Sequence, residues 1–321
     1  MSSRLAIVVV SRNRREPLCQ TLPRHLALPG RPRVVLVDDA STDGTSELVA
    51  RRFPAVEVIS LARSLGAVAR NVGLRAVSEP YVAFCDDDAW FGEGALARAE
   101  QLLDEHPRLA VISPMILVGS ERRLDSVCEA MALSPLPAAA GQPGYPLAGF
   151  IACAVVVRRQ AVLSAGAFCE RLQIGGEEKL LSWDLLADGW QLSYVPEVVA
   201  RHCPPPNDGR PRRRAQILRN ELWINWLRRP PAAAARASVR EVLSRRRDGA
   251  TLRAVTEAAA GVPWVLRERR RCPAAVEHMI SLLEHASRSD PGAPPAADQT
   301  SRTGSVDQPR NPTMDARAPM V

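Results

Sequence analysis

Acidic residues that follow short apolar segments are the feature that most constrains how this chain folds. Asp38-Asp39 follows Val34–Val37, and Asp86-Asp87-Asp88 follows Tyr81–Phe84. Such short apolar runs are typical of buried strands in a parallel sheet. The carboxyl ends of neighbouring parallel strands lie at one edge of the sheet, where α/β proteins bind their ligands. Because like charges brought together repel each other unless a counter-charge is present, the pattern favours a divalent cation and a polyanionic substrate.

Strand and helix patterns alternate along the chain up to Val195. This alternation indicates βαβ units and therefore an α/β fold, with a mostly parallel, Rossmann-like sheet flanked by helices. A segment rich in Pro, Ala and Gly, Pro135–Pro146, is predicted to be a mobile loop. The predicted strands are Leu5–Val10, Val34–Val37, Val56–Ser60, Tyr81–Phe84, Leu109–Met115, Ile151–Val157 and Leu192–Val195. The predicted helices in this part are Pro17–Leu26, Thr45–Arg52, Ala67–Val77, Gly94–Leu103 and Leu180–Ala187.

The composition changes after about Pro206, and this change divides the chain into three predicted parts. Residues 1–206 are expected to form the α/β domain. Residues 207–284 are expected to form a helical extension, in which Arg212–Arg228 has a strongly helical pattern. Residues 285–321 contain no aromatic residue and are rich in Pro, Ser, Asp and Gly, so this tail is expected to be disordered.

Arginine clusters in the C-terminal half account for the formal net charge of +7. A basic face of this kind could bind nucleic acid, an anionic membrane surface or nucleotide phosphates, or it could be a solvated helical surface. Aromatic residues are only 4% of the chain and do not alternate with the arginines, so nucleic acid is not the expected partner. The clusters lie at residues 210–214, 228–229, 245–247 and 267–271.

The cysteines and the apolar segments bear on the cellular compartment. Seven cysteines without CxxC spacing argue against a disulfide framework and against a zinc site. The longest N-terminal apolar run, Leu5–Val10, is too short for a signal-peptide core or a membrane span. These features predict a cytoplasmic protein, and any membrane contact would be peripheral, at the inner membrane face.

Several short motifs, in order along the chain, carry a resemblance to a known family. Taken together they are specific, and from Leu5 to His202 the chain resembles the family 2 glycosyltransferases of the GT-A fold. The resemblance implies a nucleotide-diphospho-sugar-binding domain that transfers a sugar, with inversion, to the hydroxyl of a carbohydrate, lipid-linked or small-molecule acceptor. The motifs are Val-Val-Val-Ser-Arg-Asn-Arg (8–14), Val-Asp-Asp-Ala-Ser-Thr-Asp-Gly-Thr (37–45), Leu-Gly-Ala-Val-Ala-Arg-Asn-Val-Gly (65–73), Phe-Cys-Asp-Asp-Asp-Ala (84–89), Arg158-Arg159 with Gly166-Ala167-Phe168, Gly-Gly-Glu-Glu (175–178) and Arg201-His202.

This resemblance implies a donor site along the ends of the strands. Ser11 and Asp39 would hold the nucleotide base, and Asp39 would accept the imide N–H of uracil or thymine. A UDP- or dTDP-sugar is therefore the favoured donor. Gly66, Arg70 and Asn71 would line the donor pocket, where a glycine allows the backbone to approach the ligand closely.

The Asp86-Asp87-Asp88 run occupies the family's DxD position. By position, Asp88 is the expected direct metal ligand, and Asp86 and Asp87 would lie near the ribose and the donor sugar. His202 matches a further metal or phosphate contact of the family. A bound Mn²⁺ or Mg²⁺ would neutralise the charge that develops on the pyrophosphate leaving group, and a histidine ligand favours Mn²⁺ slightly.

Inverting transfer also needs a carboxylate that takes the proton of the attacking hydroxyl. The family places this base in a Glu-Asp type motif, which corresponds here to Glu177-Glu178. Because the second position usually carries the base, Glu178 is the expected catalytic residue and Glu177 is the alternative. Glu in place of Asp moves the carboxylate by about one methylene.

Each acidic motif, taken alone, also has a structural explanation. Asp38-Asp39 and Asp43 could cap a helix, and Glu177-Glu178 could be the solvated start of another helix. Asp86-Asp87-Asp88 could be an ordinary acidic turn. The conjunction of the motifs at successive strand ends favours the functional interpretation.

Two other functions stay open at this point. A sugar-phosphate nucleotidylyltransferase would need a glycine-rich loop after the first strand, where this chain has Ser11-Arg12-Asn13-Arg14 without glycine. A non-catalytic GT-A-like domain could instead use the arginine clusters to bind an anionic partner such as nucleic acid or a membrane surface.

Overall fold

The computed structural model describes residues 3–204, 211–246 and 248–289, and one mixed β-sheet runs through the first of these ranges. Buried apolar residues form its strands, as the sequence predicts. The strands are β1 (Leu5–Ser11), β2 (Arg33–Asp38), β3 (Val56–Ser60), β4 (Tyr81–Asp86), β5 (Ala89–Phe91), β6 (Leu109–Val118), β7 (Arg123–Leu124), β8 (Tyr145–Pro146), β9 (Ala154–Arg158) and β10 (Gln191–His202).

The sheet has the order β3-β2-β1-β4-β9-β6-β10-β5, with β7 paired to β6 and β8 paired to β10. β1 is parallel to both β2 and β4, β2 is parallel to β3, and β6 is parallel to β10. β9 lies antiparallel between β4 and β6, and β5 is antiparallel to β10. The α/β architecture predicted from the sequence, a mostly parallel sheet flanked by helices, is confirmed.

Helices alternate with the strands of this sheet and continue beyond it as a C-terminal helical part. The helices are α1 (Arg15–Leu26), α2 (Thr45–Arg52), α3 (Arg70–Ala76), α4 (Ala95–Glu105), α5 (Ser126–Ala132), α6 (Arg159–Ser164), α7 (Glu177–Ala187), α8 (Pro211–Arg228), α9 (Pro231–Leu243), α10 (Gly249–Ala260), α11 (Val262–Glu268) and α12 (Ala274–Ser289), and a 3₁₀ turn over Gly66–Ala69 precedes α3. Helix α12 includes the first residues of the predicted disordered tail, and residues 290–321 lie outside the described residues.

A glycine in α3 determines how closely this helix packs on the sheet. A Cβ at Gly73 would lie 2.3 Å from Val8 Cγ1 and 3.2 Å from Val37 Cγ2, so a larger residue would push the helix away. Because α3 lies directly on β1 and β2, its first residues, Arg70 and Asn71, come close to the carboxyl ends of the strands. The packing of the helix therefore positions two of the predicted donor-site residues.

A second group of buried apolar side chains joins α7 to the C-terminal helices. Trp183 on α7 and Leu218 and Trp223 on α8 are buried in it. Trp223 and Trp264 pack edge to face, with ring centroids 5.3 Å apart, a favoured geometry for aromatic rings. These tryptophans are core residues of the helical part, and this packing holds α8 against the helix that begins with Glu177-Glu178.

Helices α5 and α6 and the short strand β7 were not predicted, and two predicted segments also differ in the structure. The predicted strand Leu192–Val195 continues through a bulge to His202, where it pairs with the unpredicted β5. The predicted mobile loop Pro135–Pro146 ends in β8, and Gln142 Nε2 donates to the Leu192 carbonyl at 3.0 Å. The loop is thus tied to β10 at its C-terminal end.

Candidate active site

The three consecutive aspartates lie at the turn that connects β4 to β5. Asp87 is buried, and Ser11 Oγ donates a hydrogen bond of 2.8 Å to its Oδ2. Thr21 Oγ1 donates to the backbone carbonyl of Asp87 at 2.9 Å, so α1 holds the turn from the other side. Burial raises the pKa of Asp87 to about 6, although the charge of Arg14 opposes this shift. Two strand ends, β1 and β4, are therefore joined by a hydrogen bond between predicted site residues.

Arg14 bridges two of the three aspartates. Its Nε donates to Asp87 Oδ1 at 3.1 Å, and its Nη2 donates to Asp88 Oδ2 at 2.8 Å. The guanidinium therefore supplies the positive charge that the acidic turn requires. The sequence analysis assigned no role to Arg14, although its position within the first motif was a signal that could have led to it.

His202 reaches the acidic turn because of the short strand that the sequence did not reveal. β5 pairs antiparallel with the end of β10, so that His202 lies opposite Ala89. The backbone N–H of Cys203 donates to the Asp88 carbonyl at 2.9 Å, and His202 Nε2 lies 3.3 Å from Asp88 Oδ1. Burial lowers the pKa of His202, but the hydrogen bond and charge of Asp88 outweigh burial and leave this pKa above its ordinary value.

The donor atoms around Asp88 fit a divalent cation that is shared with a ligand. One carboxylate and one imidazole nitrogen converge there, a pair of ligand types that Mn²⁺ accepts. Within the described residues, no group of three or more His, Cys, Asp or Glu side chains could hold a metal ion. An ion held by Asp88 and His202 would therefore take its other ligands from phosphate oxygens and water, as Mg²⁺ and Mn²⁺ commonly do.

Arg70 connects the acidic turn to the Gly-Gly-Glu-Glu motif. It is buried, and its Nη2 donates to Asp86 Oδ1 at 2.7 Å. Burial lowers the pKa of Arg70, but the charges of Asp86, Glu178 and Glu177 more than offset burial, so its pKa is raised. Arg70 is therefore a buried cation that interacts with the acid groups of both motifs.

Glu177 and Glu178 differ in their exposure. Glu177 is buried, and its Oε2 has no hydrogen-bond partner among the described residues. Burial, reinforced by the charge of Glu178, raises the pKa of Glu177 to about 8. Glu178 is partly exposed; burial raises its pKa, and the charge of Arg70 opposes the rise. Burial thus makes both carboxyl groups harder to ionise than a free glutamate, and the more accessible one is Glu178.

The backbone before Glu177 needs glycine at both positions. Gly175 and Gly176 have φ of +88° and +89°, which side chains rarely adopt. A Cβ at Gly175 would lie 2.8 Å from Ile217 Cγ1, and one at Gly176 would lie 2.7 Å from Ile224 Cδ1. The motif therefore has both an unusual backbone and close contact with α8.

Asn220 on α8 holds the same loop by hydrogen bonds. Its Nδ2 lies 2.8 Å from the carbonyl of Leu172, 3.1 Å from that of Ile174 and 2.7 Å from that of Gly175. Its Oδ1 accepts two hydrogen bonds from Arg219. A completely buried side chain of the C-terminal helices thus fixes the loop that leads into Glu177-Glu178. No role was predicted for Asn220 from the sequence, where it is part of the helical pattern Arg212–Arg228.

Asp39 organises the loop before α3. Its carboxylate accepts hydrogen bonds from the backbone N–H groups of Leu65 and Gly66, at 2.6 and 3.0 Å, and from Ser64 Oγ at 2.6 Å. Gly66 has φ of +65°, and a Cβ there would lie 3.0 Å from the Gln173 carbonyl. Asp39 and Gly66 therefore lie together, and the loop they form is adjacent to the one that precedes Gly175.

Asn71 has its amide engaged with the protein backbone. Its Nδ2 donates to the Phe168 carbonyl at 2.8 Å, and its Oδ1 accepts the Phe168 N–H at 3.0 Å. Of the predicted donor-pocket residues, Asn71 is thus the one whose polar atoms are both bound to main chain. Its contribution to a site would be to hold α3 in place.

Two other acidic residues have local structural partners. Asp38 Oδ1 accepts the Ser41 N–H at 3.1 Å, and Asp43 Oδ1 accepts the Thr45 N–H at 3.0 Å at the start of α2. These contacts agree with the helix-capping explanation for Asp43. Asp184 on α7 forms a buried ion pair with Arg228, whose Nη2 donates to Asp184 Oδ2 at 2.9 Å. Asp184 therefore joins α7 to α8.

Several of the clustered arginines form ion pairs within the helical part. Arg229 is buried and pairs with Glu277 at 2.7 Å and with Glu284 at 2.5 Å. Arg270 pairs with Asp184 and Asp188, at 3.2 and 3.6 Å. Some of the clustered arginines therefore form ion pairs that join helices. No helix in the described ranges is long and apolar enough to pass through a bilayer.

Comparison with known sequences gives this site a family context. Residues 6–164 match the family described as Glycosyl transferase family 2. The chain is 31% identical over 179 residues to the pre-mycofactocin glycosyltransferase of Mycobacterium tuberculosis, which covers 53% of this chain and 37% of that protein. It is 25% identical over 209 residues to the N-acetylglucosaminyl-diphospho-decaprenol L-rhamnosyltransferase of the same species, which covers 55% of this chain and 68% of that protein. The chain therefore spans little more than a third of the length of the first relative.

Comparison with solved structures identifies the fold. A mannosyltransferase from Pyrobaculum calidifontis, solved in complex with GDP-Man and Mn²⁺, aligns with a TM-score of 0.53 and 18% sequence identity. The alignment covers 90% of this chain and 76% of that one. At this level of identity the likeness establishes the GT-A fold, with helices added after it, and confirms the fold predicted from the motifs.

Proposed function

The chain belongs to glycosyl transferase family 2, and from this premise we propose that it moves a sugar from a nucleotide-diphosphate donor to an acceptor hydroxyl, with inversion at the anomeric carbon. One observation carries the proposal: buried Arg70 joins the acidic turn to Glu177-Glu178. Arg70 Nε and Glu177 Oε2 are both buried without hydrogen-bond partners among the described residues. Unpaired buried polar atoms of this kind are costly unless a ligand or water satisfies them.

A nucleotide base would lie along β1 and β2. Asp39 already accepts three hydrogen bonds, and a carboxylate offers about four acceptor sites. One site therefore stays available for the imide N–H of uracil or thymine, which supports a UDP- or dTDP-sugar as donor. Ser11, which donates to Asp87, would hold the base and at the same time fix the acidic turn.

The pyrophosphate would lie beside the acidic turn, with Asp86 and Asp87 near the ribose and the sugar. Asp88 and His202 would hold Mn²⁺ or Mg²⁺, and the ion, when bound, would offset the charge that develops on the leaving group. Arg14 holds Asp88 Oδ2, whereas Asp88 Oδ1 faces His202 and could bind the ion alone. Coordination through both oxygens would require Arg14 to release Oδ2, and the released guanidinium would then be available to the phosphates.

The acceptor proton would go to Glu178. A general base has to touch the hydroxyl that it deprotonates, and the partly exposed Glu178 meets this requirement better than the buried Glu177. Glu177, with a pKa of about 8, keeps its proton at neutral pH and is therefore the poorer base. Burial also raises the pKa of Glu178, and the charge of Arg70 opposes that rise. As the acceptor oxygen attacks the anomeric carbon, the bond from that carbon to the pyrophosphate oxygen breaks.

The relatives bear on the acceptor. The name of one of them, N-acetylglucosaminyl-diphospho-decaprenol L-rhamnosyltransferase, describes transfer to a lipid-linked sugar. This name supports a lipid-linked acceptor, and carbohydrate and small-molecule acceptors belong to the same proposal. The surfaces that would select the acceptor are the segment at residues 125–150 and the C-terminal helices.

The decisive experiment is thermal denaturation with UDP-, dTDP- and GDP-sugars, each with and without Mn²⁺. Because ligand binding to the native state raises the melting temperature, a donor should raise the Tm by several degrees, and more with Mn²⁺ than without it. Asp88→Ala should remove the Mn²⁺-dependent part of the rise. If no nucleotide sugar changes the Tm, the proposed transferase activity is wrong and a non-catalytic domain is the better explanation.

The assignment of the base has its own test. Glu178→Gln should abolish transfer, measured as nucleotide release in the presence of acceptor, while the donor-induced rise in Tm stays nearly unchanged. Glu177→Gln should reduce transfer much less. The opposite order of the two variants would place the base at Glu177.

A further inference from the structure

Helix α9 exposes a stripe of apolar side chains that nothing in the described structure covers. Its inner face packs on α8, where Trp226 Nε1 donates to Ser238 Oγ at 2.8 Å. On the outer face lie Ala235, Val239 and Leu243, four residues apart each time, so they form one line along the helix. Val239 is 58% exposed and Leu243 is 66% exposed. Val239 and Leu243 thus form a small continuous apolar surface on the outer face of the helix.

The residues beside this stripe are basic. Arg236 is exposed, and the side chain of Arg240 is 39% exposed while it pairs with Glu284. The acidic residue of the helix, Glu241, belongs to the inner face, where it lies in electrostatic reach of Glu221 and Lys179. Residues 211–289 contain 17 Arg and 7 Asp or Glu. The outer face of α9 is therefore apolar along its centre and cationic at its edge.

We propose that α9 is a membrane-contact helix that lies on an anionic lipid surface through Val239 and Leu243, with Arg236 at the phosphate level. The combination of an apolar stripe with flanking arginines is what a lipid interface selects, because acyl chains accept the aliphatic groups and anionic head groups attract the cations. Nucleic acid would satisfy the arginines but would leave the aliphatic side chains in water.

A second copy of the chain fits this surface less well. In a symmetric dimer the same patch meets itself, so the arginines of the two copies would approach each other. A stable dimer also buries about 800 Å² on each partner, far more than two aliphatic side chains offer. The charge of the surface therefore argues for an anionic partner.

The location of α9 also links this surface to the candidate active site, a step that rests on the proposed function. Lys179 follows the candidate base directly in sequence, and its Nζ lies 2.5 Å from Glu221 Oε2 on α8. Glu241, on the inner face of α9, lies in electrostatic reach of both groups. The inner face of α9 is thus connected to α7, the helix that begins with Glu177-Glu178, and a lipid surface on the outer face would hold this helix near the membrane that carries a lipid-linked acceptor.

The test is co-sedimentation of the full chain with vesicles of phosphatidylcholine, with and without about one third phosphatidylglycerol. The chain should bind the anionic vesicles and leave the neutral ones largely unbound, and added salt should weaken the binding. V239D/L243D should weaken binding at least about tenfold, because each aliphatic side chain loses its burial. Arg236→Glu should weaken binding by about tenfold or more, since each basic residue near the surface contributes to the attraction.

The matched control is Arg51→Glu, which makes the same change in net charge as V239D/L243D at an exposed position of α2 and should leave vesicle binding nearly unchanged. Equal binding to neutral and anionic vesicles, or full binding by V239D/L243D, would overturn the proposal. Sedimentation-velocity runs without lipid provide a second check. Self-association that V239D/L243D abolishes would assign the stripe to a second copy instead.

The failure of this proposal can be told apart from failure of the proposed function. The donor-induced rise in Tm is measured on the same protein preparations. If V239D/L243D loses vesicle binding but keeps the donor-induced rise in Tm, the result supports the α9 surface and does not affect the proposed transferase activity. If the wild type binds vesicles but no nucleotide sugar raises its Tm, the membrane contact is supported and the transferase activity is refuted.

Discussion

Asn220→Ala tests whether the C-terminal helices hold the loop that carries the candidate base. Asn220 is completely buried, and its Nδ2 approaches three carbonyl oxygens within 3.1 Å. Its removal takes this donor from the carbonyls of Ile174 and Gly175, whereas the Leu172 carbonyl still accepts the Ile174 N–H at 2.7 Å. Each unsatisfied group costs about 1–3 kcal/mol, and partial relaxation or entry of water should bring the total to about 3 kcal/mol. At about 2–4 °C per kcal/mol, the Tm should fall by about 6–12 °C.

Asn225→Ala is the matched control on the same helix. Asn225 is also buried, but its Nδ2 donates at 2.8 Å to the Glu221 carbonyl, which the helix itself already uses. Loss of this bond leaves no loop carbonyl unpaired, so the Tm should fall by only about 2–4 °C, corresponding to about 1 kcal/mol. Differential scanning calorimetry of both variants measures the difference. A fall for Asn220→Ala no larger than that for Asn225→Ala would refute the role of Asn220 in holding the loop.

Three further outcomes follow from the same region. Burial raises the pKa of Glu177 from 4.5 in the unfolded chain to about 8 in the fold, so the unfolded state loses this proton first and stability falls as the pH rises between these values. Glu177→Gln removes this contribution, and its Tm should fall less steeply than that of the wild type over that range; parallel curves would contradict the shift. Gly176→Ala combines strain at φ of +89° with an overlap against Ile224 and should lower the free energy of unfolding in urea by about 2–4 kcal/mol. Gly94→Ala, with φ of +75° and no atom within 4 Å of the added Cβ, should cost only about 1 kcal/mol, and an equal loss would show that backbone strain alone accounts for the effect. In a vesicle assay, Asn220→Ala should bind anionic lipid as the wild type does, because α9 is not part of the loop; loss of binding would indicate that the helical part unfolds as a unit.

The sequence was a good guide wherever a local pattern determines the structure. α2 and β3 begin and end at the predicted residues, because turn chemistry precedes the helix and an apolar run defines the strand. The short strand β5 was not predictable, since three residues show no periodicity and β5 depends on pairing with the distant β10. That pairing brings His202 to Asp88. The family resemblance suggests that His202 belongs to the site, but only the fold explains how it reaches Asp88.

For the site, the sequence predicted which motifs converge but not how their charges are balanced. Asp86 lies at the end of a predicted strand, and Arg70 links it to Glu177-Glu178 at the start of α7. Arg14 and Asn220, which stabilise the acidic turn and the loop before α7, contact residues 73 and 45 or more positions away, so only tertiary packing selects them. Asn220 belongs to a helical pattern that carries no sign of such a role, whereas Arg14 is part of the first motif.

The ion pair of Arg14 with Asp87 and Asp88 has a consequence for the order in which ligands would bind. In the protein alone, this guanidinium already neutralises the carboxylate that a cation would need. A free divalent ion would therefore compete with Arg14 for Asp88, and among the described residues its protein ligands would be Asp88 and His202. A nucleotide diphosphate removes this obstacle, because its phosphates offer Arg14 a new partner and the ion additional oxygens. Metal and nucleotide should therefore bind with positive coupling, each weakly in the absence of the other.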